Sequence, residues 1–268
     1  MANTVYPNKV IEAKAKDILT TQINARSMMT IDTSLTQNAG MVKTINTYTY
    51  TGAAEEVAAG SGNSTRGSIA YVGKDYTVKM VQQAFDYLDE DFMKDPVIVD
   101  FGIKGATSVM TNKMTSDFYS ALATKNGATE LVKGITFAKG KALSYDVIVD
   151  AISELNLEDE SKIFIVIPNA WKASLRKDAD YKSAQMGEVI YNGQVGTVCG
   201  IPVIATKALT DKAYVMTNEA VTLFLKKDVE VEQDRDIEAK KNTVALTTYY
   251  VVALVDNTKI CKITQATA

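Results

Sequence analysis

The sequence predicts a mixed α+β protein, and three features predict it. The stretch from Pro96 to Lys125 carries an apolar stripe at helical spacing and is much longer than an average helix. Segments within 41–92 and 221–265 alternate with the two-residue period of β-strands. Between them, 140–220 switches from one period to the other as an α/β lobe does. No internal repeat or low-complexity linker divides the chain. Its 268 residues suffice for one large domain or two small ones.

Taken in order, residues 1–40 open on a segment that can form a helix through Ile11, Ala15, Ile18, Leu19 and either Gln22 or Ile23, followed by the turn-rich TIDTSLTQNAG. It has the character of an arm packing on another surface, or of an ordinary N-terminal helix on the same body. In 41–92, KTINTYTYTG and YTVKMVQQAFDYLDED both alternate, separated by some twenty residues rich in Gly, Ser, Asn and Ala. Two long strands joined this way make a hairpin. A hairpin alone is marginal in water, so a further surface must stabilise it, from the same chain or from a neighbour.

The long helix is expected to begin near Pro96, whose missing N–H suits a first turn. It buries Ile103, Ala106, Met110, Met114, Phe118 and Leu122, turns Lys104, Asn112, Lys113, Ser116 and Asp117 toward water, and ends at Asn126-Gly127. About 28 residues would give it a length of about 42 Å. GITFAKGKA follows as a strand or loop pair. Ser144 then caps a helix with Tyr145, Ile148, Val149, Ile152 and Leu155 on one face. KIFIVI at 162–167 reads as a buried strand, Pro168-Asn169 opens a short helix, and EVIYN, IPVIAT, AYVMTN and VTLFLK read as strands. VEVEQDRD, NTVALTTYYVVALV and TKICKI close the chain as an antiparallel return packed against the long helix.

Composition narrows the chemistry. There is no His, the commonest general base and transition-metal ligand, and only two Cys, Cys199 and Cys261, which read as small hydrophobes. A net charge of -3 argues against a protein built to grip a phosphate backbone. The longest apolar runs are too short to cross a bilayer, and the N-terminus has no apolar signal-peptide core. No enzyme, catalytic residue, cofactor or metal is expected.

Three patterns deserve weighing. GQVGTVCG, 193–200, is glycine-spaced but leads into a strand and lacks the Lys-Ser/Thr of a phosphate loop, so its glycines are turn glycines. DYLDED, 86–91, lacks calcium-loop spacing and reads as a solvated acidic turn. VEVEQDRD, 229–236, reads as one charged face of a sheet; a sharper alternative makes Glu232, Asp234, Arg235 and Asp236 a charge contact between subunits.

The order of these parts, together with NKVIEAKAKDILTTQ, TYTYTGAAEEVAAGSGNSTRG, YTVKMVQQAFDYLDEDFMKDP, SKIFIVIPNAWKASLRK, GQVGTVCGIPVIAT and VEVEQDRD, resembles the major capsid proteins of tailed bacteriophages with the Hong Kong 97-like fold. The resemblance spans nearly the whole chain. It implies an N-arm (1–40), an extended loop reaching over an adjacent subunit (41–92), a peripheral domain with the spine helix (93–139), an axial domain (140–220) and returning peripheral strands (221–268). The loop tip, Gly60, Ser61, Gly62, Asn63, Arg66 and Gly67, would touch a neighbouring subunit.

The resemblance further implies a virion protein, assembled in the host bacterial cytoplasm into the pentamers and hexamers of an icosahedral shell. The shell would enclose double-stranded DNA touched only weakly and non-specifically, with no membrane involved. Partners would be other copies of the chain, a portal and, in some shells, decoration proteins; with no long helical pro-region before residue 40, either a separate scaffold or an already mature chain is expected. No Lys–Asn crosslink is assumed, because nothing marks a partner for Lys74 or Lys79. An encapsulin-type nanocompartment shell enclosing cargo enzymes is the nearest alternative. A cytoplasmic α/β enzyme with a catalytic lobe at 140–220 is the more distant one.

Overall fold

A computed structural model describes residues 25–126, 129–184 and 196–266. The expected N-terminal helix, EVIYN and the first residues of GQVGTVCG lie outside them. After a 3-10 turn at Ala25–Met28 come β1 (Thr30–Asp32), β2 (Val42–Thr51), β3 (Ser68–Thr77) and β4 (Lys79–Leu88). Helices α1 (Asp89–Lys94) and α2 (Ile98–Leu122) follow, then β5 (Lys125–Asn126), β6 (Thr129–Glu130), β7 (Lys133–Phe137) and α3 (Tyr145–Leu155). Next are β8 (Ile163–Pro168), α4 (Lys172–Lys177), α5 (Ala179–Ala184), β9 (Thr197–Val198), β10 (Ile201–Thr206) and β11 (Lys212–Thr217). The chain closes with β12 (Val221–Asp236), β13 (Lys241–Leu254) and β14 (Ile260–Gln265).

Helix α2 follows the apolar period closely. All six residues of the expected stripe are buried, from Ile103 to Leu122. At 25 residues it is about 37 Å long. It starts two residues after Pro96, where Asp95 accepts hydrogen bonds from the Val97 amide (3.0 Å, side chain) and the Ile98 amide (3.3 Å, backbone). It stops at Leu122, short of the expected Lys125: the Ala123 and Thr124 amides donate to the Ser120 and Ala121 carbonyls three residues back, a tightened last turn, and beyond it the Thr124 carbonyl accepts from the Leu131 amide.

A four-stranded sheet, in the order β1-β12-β13-β4, lies against this helix. Along β13 the even-numbered residues Val244, Leu246, Tyr250, Val252 and Leu254 share a core with α2. The odd-numbered Tyr249, Val251 and Ala253 point the other way, into a small cluster with Leu35, Ile45, Tyr76, Val78 and Phe224. Strand β12 runs for 16 residues, joining VTLFLK and VEVEQDRD in one strand, with register shifts around Lys227. Its charged half and its apolar half are therefore one element.

The hairpin differs from the expected one. β2 pairs with β3, Val42 opposite Thr77 through Thr51 opposite Ser68, and β4 leaves to pair with β13. The alternating segment at 79–88 joins the sheet because Phe85 and Tyr87 find the α2 core there. A lone ribbon would have left both in water.

The second body is a six-stranded sheet, β7-β14-β11-β8-β10-β9. Ile163, Ile165 and Ile167 of β8 pack with Ile148, Ala151, Ile152 and Leu155 of α3, while Phe164 and Val166 join the α2 core. The sheet is thus buried on both faces. It recruits β7 from before residue 140 and β14 from after residue 220, so divisions at 139/140 and 220/221 cut across it. TKICKI accordingly belongs to this sheet, and its Ile260 packs in the α2 core. The cap of α3 also differs: the Ser144 side chain makes no capping bond, and the Tyr145 amide instead donates to Asp178 Oδ2 at 3.0 Å.

Candidate interaction surfaces

Strands β2 and β3 form a ribbon whose base alone is covered. Ile45 and Tyr76 lie in the small cluster on the odd-numbered face of β13, Tyr76 Oη donates to the Leu254 carbonyl, and Lys43 Nζ stands 5.1 Å over the Phe224 ring. Further out, strand periodicity and the pairing of Tyr48 with Tyr71 and Tyr50 with Ile69 put these four on one face. All four are 67–69% exposed. The rings of Tyr48 and Tyr71 are 6.2 Å apart. The Tyr50 ring lies against Gly67 and Gly52, where any side chain at Gly67 would collide with it.

The connection 52–67 holds the expected tip. Gly60, Ser61, Gly62, Asn63, Arg66 and Gly67 are all exposed. Glu55 organises it: its carboxylate accepts from the Ser64 amide (2.9 Å), the Ser64 hydroxyl (2.8 Å) and the Thr65 amide (2.8 Å). Those bonds, the Ser64 side chain foremost, hold its carboxyl below the usual carboxylate range. Gly60, at φ 88°, adopts a backbone conformation that side-chain-bearing residues rarely take.

The second expected contact, on β12, is split by the strand pleat. Arg235 faces inward, where Nη2 donates to Asp89 Oδ2 at 2.6 Å while Asn242 Nδ2 donates to Asp89 Oδ1 at 2.6 Å. These two partners, Asn242 first, hold the Asp89 carboxyl below its ordinary value. Glu232, Asp234 and Asp236 are exposed on the other face. Asp236 Oδ1 accepts from the Glu238 and Ala239 amides and shapes the turn to β13. Beside them, Asp86 is bound by Lys241 and Thr243 at 2.6 and 2.7 Å. The acidic run at 86–91 therefore spends Asp86 and Asp89 on ion pairs with β12 and β13, where a solvated turn was expected. Arg235 has an ion pair within its own chain, on the half-buried face of the strand.

One surface has no counterpart among the sequence expectations. On the side of α2 away from the sheet, Val97, Phe101, Gly105 and Val109 recur every four residues, a ridge spacing on a helix. Phe101 is 77% exposed, and the space beside Gly105 is open. Met93 of α1, just before the ridge, is 80% exposed. The same spacing that revealed the buried stripe would have revealed this one, had the polar side of the helix been read for apolar residues.

The glycine-spaced segment makes a tight turn between β9 and β10, with Cys199 and Gly200 at φ 52° and 80°, and a strand follows as expected. Cys199 Sγ lies 3.1 Å from Tyr145 Oη. Cys261 is buried, which pushes its thiol up to about 11. No helix among the described residues is long and apolar enough to cross a membrane.

Comparison with known proteins agrees with this architecture. No family profile matches the chain. It is 24% identical to the major capsid protein of Staphylococcus phage phiMR11, over 98% of this chain and 94% of that protein. It superposes on the capsid structure of cyanophage P-SCSP1u with a TM-score of 0.67 at 11% identity, covering 90% of this chain and 87% of that one. A virus-like particle from Pyrococcus furiosus gives a TM-score of 0.61 at 9% identity, covering 95% and 98%. The resemblance to tailed-phage major capsid proteins thus holds in sequence along nearly the whole chain, and the mixed α+β fold is one found in phage capsids.

Proposed function

We propose that this chain is the major capsid subunit of a tailed phage, forming the pentamers and hexamers of an icosahedral shell around double-stranded DNA. In the Hong Kong 97-like scheme, α2 is the spine helix, the four-stranded sheet with α2 is the peripheral domain, the six-stranded sheet with α3 is the axial domain, and the β2–β3 ribbon is the extended loop. The observation that carries the proposal is that ribbon. It exposes three tyrosines and an isoleucine on one face, with nothing from its own chain over them among the described residues. Isolated ribbons are marginal in water, and large exposed apolar patches mark interaction sites.

The mechanism is assembly and not catalysis: each copy contributes modest contacts, and extensions add area beyond the compact body. Scaffold, portal and decoration proteins are the further partners, the virion is the location, and the host cytoplasm is where assembly takes place. A net charge of -3 keeps contact with DNA weak. Negative-stain electron microscopy with size-exclusion chromatography tests the proposal. Pentameric or hexameric rings, tubes or closed shells are expected. A chain that stays monomeric under all conditions, including with its scaffold, would overturn it. An encapsulin-type nanocompartment is the second reading, since the fold is shared with a virus-like particle from Pyrococcus furiosus; shells co-purifying with an enzyme would establish that instead.

A further inference from the structure

The β2–β3 ribbon stands on two legs, and they are anchored differently. The outgoing leg passes through Val78 straight into β4. Val78 is buried with Leu35, Phe224 and Ala253, and its amide donates to the Met41 carbonyl at 2.7 Å. The incoming leg has no such continuation. It arrives from the loop at 33–40 through Gly40, which is exposed, sits at φ 107° and has open space beside it. A leg entering through such a residue can swivel unless the loop before it is held.

Leu35 packs beneath that loop, and one polar side chain ties it to the sheet. The half-buried Lys226 donates from Nζ to the Leu35 carbonyl at 3.0 Å and also to the Asn38 carbonyl. These carbonyls lie at the end of a 3-10 turn, Ser34–Thr36, where helical structure leaves acceptors without partners and a lysine can cap them. The loop is also closed on itself. The Ser34 amide donates to Asp32 Oδ1 at 2.7 Å, and Asn38 Nδ2 donates to the Ser34 carbonyl at 2.9 Å. The loop is thus a preformed unit that a single ammonium can fix in place.

Strand β12 is shaped to present that ammonium. Leu225 stands opposite Tyr250 and Lys227 opposite Tyr249, so Lys226 is the extra residue of a bulge in the ladder. A bulge re-aims a side chain, and here the extra residue is the one that reaches the loop. Thr248, buried on β13, donates its hydroxyl to the Lys227 carbonyl at 3.1 Å and secures the bulged backbone. The geometry matters because the ribbon is a lever. Each of its strands has 10 residues and reaches about 34 Å, so a swing of about 10° at the base moves the far end by about 6 Å.

We propose that Lys226 is a positioning residue of shell assembly: its ammonium, seated on the Leu35 and Asn38 carbonyls, fixes the angle at which the ribbon leaves its own sheet before any neighbour is met. The proposal rests on the reading of the ribbon as an extended loop and adds to it the device that aims the ribbon. Without the ammonium the two carbonyls lose their donor and the swivel at Gly40 is free. The ribbon then samples a cone of directions, and every contact it makes must first select one of them.

Three variants of the full-length chain test it. Lys226→Met keeps the apolar stem without the ammonium. Lys226→Arg keeps a cation that can donate to both carbonyls, and Lys226→Gln is the milder loss should the methionine variant fail to fold. Far-UV circular dichroism checks folding. Spin labels at Ala70→Cys on the ribbon and Asn112→Cys on α2, both exposed positions, are placed in a Cys199→Ser background, Cys261 being buried. Double electron–electron resonance on the unassembled chain then reads the ribbon angle. Lys226→Met is expected to widen the distance distribution about 2-fold and to lower the fraction in rings or shells, measured by sedimentation, about 5-fold or more. Lys226→Arg is expected to restore both. A distribution unchanged in Lys226→Met and Lys226→Gln would overturn the proposal, as would parental assembly despite a widened distribution. A parent that never forms rings or shells would overturn the shell reading, and the distances alone would then decide the anchoring.

Discussion

The six-stranded sheet and the β2–β3 ribbon are built from similar β-forming residues yet stand at opposite extremes of burial. In β8, alternate isoleucines pack on α3 while the intervening Phe164 and Val166 join the α2 core. In the ribbon, the same alternation leaves Tyr48, Tyr50, Ile69 and Tyr71 in water. Strand propensity is therefore shared, and what differs is whether the chain supplies a second layer. Where it does, the strand belongs to the stability of the monomer. Where it does not, the apolar face of the strand stays in solvent.

The largest effect should come from the interior. Phe118 is fully buried, with its ring edge-on to Tyr119 at 5.0 Å. Phe118→Ala should cost about 3–5 kcal/mol in urea unfolding of the unassembled chain. Tyr48→Ala, on the ribbon, should stay within about 0.5 kcal/mol by the same measurement. A costly Tyr48→Ala would mean that the ribbon folds back onto its own body and would break the comparison.

Two glycines of α2 sharpen it further. A methyl group at Gly102 would collide with the Phe85 ring, whereas one at Gly105 meets open space. Gly102→Ala should therefore lose about 1 kcal/mol, overpacking outweighing the better helix propensity. Gly105→Ala should gain about 0.5–1 kcal/mol in thermal or chemical unfolding.

The smallest effect is local and pH-dependent. Glu55 is depressed by its bonds to Ser64 and Thr65, so the folded loop favours the carboxylate. Order in 52–67 should be complete above the ordinary titration range of a glutamate and lost as pH falls through the depressed value. Amide exchange at Ser64 and Thr65 should rise over that window, and Glu55→Gln should raise it at neutral pH. Unchanged exchange in both cases would remove Glu55 as the organiser of the loop.

Much of this was legible in the residues. The α2 stripe from Ile103 to Leu122 could be read because a helical period is local, requiring no knowledge of what lies beneath it. The turn at Cys199-Gly200 was likewise legible from the glycines and the strand that follows. The partner of β2 was not: 68–77 and 79–88 follow one another almost without a break, and only the α2 core, taking Phe85 and Tyr87, draws the second away. Arg235 looked like a surface charge in VEVEQDRD because the pleat alone does not say which face meets Asp89. Ser144 looked like a cap because the competing carboxylate, Asp178, lies 33 residues away from Tyr145.

The sequence by itself determined the parts: one long helix, an alternating ribbon, an α/β stretch and three late strands, each specified by periodicity and turn chemistry within a few residues. Tertiary structure decided how they were assigned. It sent β7 and β14 to the sheet beside α3, sent β4 away from the ribbon, and set the ribbon and the α2 ridge on opposite sides of one sheet. The reason is that periodicity tells a strand which of its faces is apolar, while the surface that covers that face is chosen by competition among all the apolar surfaces the folded chain brings together.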